Sequence, residues 1–201
     1  TLTTSGAITV TDVDTTDTVT AAVTSVALNG SFTTSGSPLP ASLGSAANGY
    51  AALKAMLSLS TPMAGTSMAA DSTTGSTFNW EFTSGSFGDS AFDFLRDGET
   101  LTLTYTVTLT DNSGASGSEA TAVATTTVAV TITGTNDTPL ITNGPDSAAL
   151  IETNASISSA GSMTVTDIDL TDTAALTVES VVISGGSFNA AQVPLTNAEL
   201  K

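Results

Sequence analysis

From Thr100 to Thr110 polar and apolar residues alternate without a break, TLTLTYTVTLT. Thr100, Thr102, Thr104, Thr106, Thr108 and Thr110 share one side, and Leu101, Leu103, Tyr105, Val107 and Leu109 share the other. A period of two belongs to an extended strand whose successive side chains face opposite ways. The run therefore predicts a strand with one wet and one dry face, spanning roughly 35 Å at about 3.3 Å per residue. Its flanking carboxylates, Glu99 and Asp111, are expected at opposite poles of the domain. Further strands are predicted over 7–11, 18–28, 77–83 and 120–133, each bounded by Gly, Asn or Asp. Short alternating strands of this kind point to an all-β fold, an antiparallel β-sandwich.

One stretch breaks the period. NGYAALKAMLSL, beginning at Asn48, offers an N-cap asparagine, good helix formers, and Tyr50, Leu53 and Leu57 at helical spacing ahead of Pro62. It predicts a short helix over 48–59 inside an insertion, 33–77, packed on a sandwich edge. Phe78, Trp80, Phe82, Phe92 and Leu95 are expected in the core, with sugar stacking as the alternative for Trp80.

The pattern also repeats. GAITVTDVDTTDT from Gly6 returns as GSMTVTDIDLTDT from Gly161, three aspartates in the same places, and VTSVALNGSF is echoed by VESVVISGGSF. The period of about 155 residues predicts tandem units: a nearly complete one over 1–137, then a linker and the first third of the next over 138–201. GTNDTP, Gly134 to Pro139, marks the boundary, where turn residues and a proline end a Thr/Val run. Thr1 in place of methionine, and the position of Lys201, suggest a piece of a longer protein whose first unit lacks its opening strand. The second unit's tail is expected to replace that strand, in the same molecule or by strand exchange in a dimer.

Composition narrows the chemistry. Three Lys and Arg stand against 19 Asp and Glu, a net charge of -16. Such a surface repels a nucleic-acid backbone, which is bound through basic residues, and favours cations. Charged residues make up 11% and hydrophobic ones 40%, a balance that folds. There is no cysteine and no histidine, which removes thiolate metal sites, disulfides and the commonest general base. An enzyme would rest only on carboxylate pairs such as Asp97 and Glu99, and none is expected. No apolar run reaches the length of a membrane helix. Abundant Thr, Ser, Ala and Gly with scarce Lys suit an extracellular, secreted or surface-bound bacterial protein.

The acidic and amide groups gather at predicted strand ends: Asp12, Asp14 and Asp17; Asp97 and Glu99; Asp111; Asn136 and Asp137; Asp167, Asp169 and Asp172. Calcium takes six to eight oxygens drawn from several loops, and these are such oxygens. An aspartate in a loop has a plainer use as well, since it bonds its own backbone in a turn.

LRDGETLTLTYTVTLTDNSG followed by VAVTITGTNDTP resembles the end of a cadherin-type repeat, and more closely the VCBS-type repeats of large RTX-like bacterial adhesins. The resemblance covers most of the first unit and implies a cadherin-like sandwich with calcium between units. It implies ligands at Asp97 and Glu99, at Asp111 with Gly114, at Asn136 and Asp137, and at Asp167 and Asp169. Asp12 and Asp14 are the matching pair of the first unit. Gly134 and Thr138 stand where that pattern has Asp and Asn, so two ligands are lost. The implied role is a structural spacer whose calcium, by mass action, stiffens an otherwise mobile joint between neighbouring units. The alternative is a module binding a glycan, a surface protein or ice through the threonine face or the 33–77 insertion.

Overall fold

Leu101, Leu103, Tyr105 and Val107 have no exposed surface, while the threonines between them stay partly exposed, so the alternation of 100–110 is realised side chain by side chain. The computed structural model describes residues 1–12, 18–60, 67–69, 75–112 and 123–182. Its elements are β1 (Thr3–Val10), β2 (Thr18–Asn29), α1 (Ser31–Thr34), α2 (Ala51–Ala55), β3 (Leu57–Ser60), β4 (Ser67–Ala69), β5 (Ser76–Thr83), β6 (Thr100–Asn112), β7 (Val123–Thr133), β8 (Leu140–Ile141) and β9 (Val165–Thr166). All strand pairings are antiparallel, and the chain is all-β with short helical turns.

One sheet runs β4-β2-β6-β7 and the other β1-β5-β3. They close on a shared cluster of buried side chains, in which the ring of Phe82 lies 6.4 Å from that of Tyr105. In β2 the register slips between Val23 and Ser25, leaving Thr24 as an extra residue bonded to the Thr108 hydroxyl at 2.9 Å. This bulge switches the inward parity from odd, Val19 and Ala21, to even, Val26. The outer side of the sheet is a field of Thr, Ala and Ser; β2 and β7 contain no charged residue and β6 only Asp111.

Phe78, Phe82, Phe92 and Leu95 are core as expected, and Trp80 packs partly buried against it. The indole lies over Gly6, where a Cβ would come within 2.6 Å of the ring. Among the described residues β1 and β7 are edges of their sheets, and between them a cleft of about 250 Å³ is lined by Leu2, Phe82, Val130 and Ile132 among others.

The helix expected over 48–59 is shorter. Asn48 caps nothing downstream; its side chain accepts from the Ser45 amide at 3.0 Å and closes the preceding 3-10 turn, Ala46–Asn48. Tyr50, with φ 51, then starts α2, which ends at Ala55. Leu57 leaves the helix because its residues pair with Phe82 and Trp80 as β3, and strand pairing at a buried edge outweighs helix propensity. The 33–77 stretch is thus no appendage: it supplies β3 to one sheet and β4 to the other. The Tyr105 hydroxyl donates to the Leu53 carbonyl at 2.9 Å, tying α2 to the core. Among the described residues no helix is long and apolar enough to cross a membrane.

Candidate metal centre

The pairing Thr100↔Thr133 brings the chain before β6 and the chain after β7 out at the same pole. The ladder runs on past the strands, the Gly134 amide donating to the Glu99 carbonyl at 2.8 Å and the Gly98 amide to the Gly134 carbonyl at 3.3 Å. Gly134 admits no side chain: a Cβ would collide with the backbone carbonyls of Leu95 and Arg96, because the two segments cross so tightly here.

The loop after β9 docks on this pole. The Asp137 amide donates to Asp169 Oδ2 at 2.8 Å, the Thr171 hydroxyl to Glu99 Oε2 at 3.0 Å, and the Leu170 amide to the Phe94 carbonyl at 3.1 Å. Asp167 Oδ1 accepts from the Asp169 amide at 3.1 Å, an Asx turn that shapes the loop. The Asp172 amide closes it onto the Asp169 carbonyl, and Arg96 lies 3.6 Å from the Asp172 carboxylate. Both partners of that pair retain solvent contact, so it adds at most about 1 kcal/mol.

Two of these carboxylates are buried, Glu99 at 5% exposure and Asp169 at 2%. Asp169 Oδ1 has no hydrogen-bond partner. Burial chiefly, then the charges of Asp167, Asp137 and Asp172, push the Asp169 carboxyl above the ordinary carboxylate value, against the lowering effect of the Asp137 amide. Asp93 is raised too, by burial and then by Asp137 and Asp169. A buried oxygen with no donor, ringed by like charges, is relieved by a proton or a cation.

Of the residues singled out in the sequence, Asp137, Asp167 and Asp169 come together, and Glu99 is tied to the same loop through the Thr171 hydroxyl. Asp97 and Asn136 sit exposed on the turns beside them, Asn136 bonded to the neighbouring Asp137 carbonyl at 2.6 Å. Asp111 does not join: it lies near the far end of β6 opposite Val19, at the other pole from Glu99. Asp12, partly exposed, follows β1, whereas Asp14, Asp17 and Gly114 lie outside the described residues. Asp93 reads in the sequence as a polar spacer between Phe92 and Phe94; it caps the 3-10 turn Asp89–Phe92, with buried Phe92, Phe94 and Leu95 around it. Thr171 was missed as one threonine among many.

The set fits calcium in kind, since every side chain offered is an oxygen donor and neither imidazole nor thiolate is present. Among the described residues no group of three or more acidic side chains has a ready metal-holding arrangement. Comparison with protein-family models, curated proteins and solved structures finds no match.

Proposed function

We propose that the chain is a structural spacer of a bacterial surface or secreted adhesin, a cadherin-like β-sandwich unit recurring about every 155 residues, with calcium held where one unit meets the next. The observation that carries this reading is Asp169: a carboxylate from the second unit, buried against the first, with one oxygen unpartnered and acidic neighbours around it. Asp93, Asp137, Asp167 and Asp169 would have to close in around the ion from their present separate positions, with Glu99 fastened to the same loop through Thr171. When bound, calcium supplies positive charge that cancels their repulsion and joins two segments through shared oxygens.

The role is mechanical and not catalytic. The 134–137 linker and the 167–172 loop are held to the end of β6 by hydrogen bonds, and a cation completes the joint by removing the repulsion that opposes it. Weak extracellular calcium modules work at about 0.1–1 mM, which suits a protein facing the medium. Calcium titration by calorimetry, with thermal melts in calcium and in chelator, tests the reading. Saturable heat and a raised Tm are expected, with magnesium weaker because it demands a tighter octahedral shell. No heat, with superimposed melts, would overturn it.

A further inference from the structure

Leu140 and Ile141 of β8 pair antiparallel with Thr166 and Val165 of β9. The contact runs on, the Thr142 amide donating to the Thr164 carbonyl at 2.9 Å and the Asn143 side-chain amide to the Ser162 carbonyl at 2.7 Å. At the offset of 155 that relates Gly161 to Gly6, Thr164, Val165 and Thr166 correspond to Thr9, Val10 and Thr11, the end of β1 and the residue after it. β1 pairs with β5 along one edge, and among the described residues no strand pairs with the other. We propose that this open edge is a receptor for residues 140–151 of a second copy of the chain, taken up in the register they use on β9, so that copies add head to tail.

Parity identifies the edge. Along a strand the backbone amide and carbonyl of one residue point to one side and those of the next to the other. The Leu2 carbonyl accepts from the Ser84 amide, just past β5, and the β1–β5 register is unbroken from Thr3 to Val10. Even-numbered residues of β1 therefore face β5, and Thr9 faces outward. Its counterpart Thr164 is the residue whose carbonyl takes the Thr142 amide and whose amide donates to Asn143 Oδ1. The edge that β8 covers on β9 is thus the one left open on β1. Neither β1 nor residues 138–145 carry a charge, so the carboxylate surplus does not oppose the pairing.

Reach decides between the chain's own segment and another's. Thr3 and Thr4 meet Ile132 and Thr133 around the cleft between β1 and β7, at the pole where Asp137 is bonded to Asp169. Thr11 lies eight residues on from Thr3, about 26 Å away along the strand. The three residues from Asp137 to Leu140 span at most about 11 Å, so Leu140 cannot stand opposite Thr11 of its own chain while Asp137 is held. A second copy has no such tether. Pairing carries over for 140–143 alone, because Trp80 lies over Gly6 where Asp146 lies over Gly161. Beyond Asn143, the seven residues to Leu150 reach up to about 25 Å, enough for the roughly 20 Å from Ile8 back to Leu2. Leu150 and Ile151 thereby gain the cleft walled by Phe82, Val130 and Ile132.

The chain has no cysteine, so single ones report contacts cleanly. Val10→Cys and Ile141→Cys chains, whose positions face each other in this register, are mixed and oxidised in chelator. A mixed disulfide dimer well above either same-kind dimer is expected, and Ile141→Cys with Thr127→Cys, on exposed β7, should give none. A labelled peptide of residues 139–152 should bind one per chain. Thr9→Pro deletes only an outward amide and leaves the β5 ladder whole, so circular dichroism should be unchanged while peptide binding weakens on the order of tenfold. Absence of the mixed dimer, or peptide binding indifferent to Thr9→Pro, would overturn the proposal. So would a disulfide forming within single chains of the Val10→Cys, Ile141→Cys double variant at high dilution. No calcium is present in these measurements, so their failure leaves the cation reading to its own titration.

Discussion

Asp169 sets the pH behaviour of the joint. Its folded pKa lies above the ordinary 3.8, so between the two values the folded chain holds a proton that the unfolded chain has lost. In chelator, stability should rise as pH falls from neutral through that raised value, and gain nothing more below 3.8. Asp93, raised for the same reason, adds in the same direction, and Arg96, paired with Asp172, is the nearby positive charge. Melts between pH 4 and pH 7 check the sign; a monotonic loss on acidification would contradict it. Asp169→Asn should raise the metal-free Tm at neutral pH by removing the repelled charge, and erase the increment from calcium. Tyr105→Phe removes one of the two donors to the Leu53 carbonyl, which keeps the Met56 amide at 3.1 Å, so about 0.5–1.5 kcal/mol of stability should go in denaturant unfolding. Gly134→Ala forces a methyl into two carbonyl oxygens and should loosen the 98–99 and 134 crossing, seen as lost amide protection at Gly98.

The elements were legible in proportion to how one-sided they are. β6 could be read residue by residue because one face is wholly buried, and Leu103→Ala in it should cost about 2–5 kcal/mol. The parity switch in β2 was hidden, since a bulge is a feature of pairing and Thr24 looks like any other threonine. The 48–59 stretch misled because Tyr50, Leu53 and Leu57 suit a helix and a buried edge strand equally, and only the presence of β5 decides. At the pole, the carboxylates were legible as clusters at strand ends. Which of them meet was not, because Asp111 and Glu99 sit at opposite ends of one strand while Asp137 and Asp169 are brought together by a crossing far apart in sequence.

At the scale of the molecule, aliphatic side chains after the 134–137 stretch, Ile151 at 86% exposure and Leu150 at 52% among them, stand open to solvent. Between β1 and β7, which are sheet edges among the described residues, lies the cleft already noted. Unpaired edges and apolar residues of this kind favour strand addition. Sedimentation should show an average mass that grows with protein concentration, and a constant monomer mass would argue against exchange. The neutral outer side of β2, β6 and β7 has a different consequence. A body of charge -16 keeps its own kind at a distance almost everywhere, yet on this hydroxyl-and-methyl plain the described residues of β2 and β7 carry no charge and those of β6 only Asp111 at its end. Crowded copies are thereby biased to lie flank against flank on that side, a bias strongest in dilute buffer and fading as salt evens out the rest of the surface.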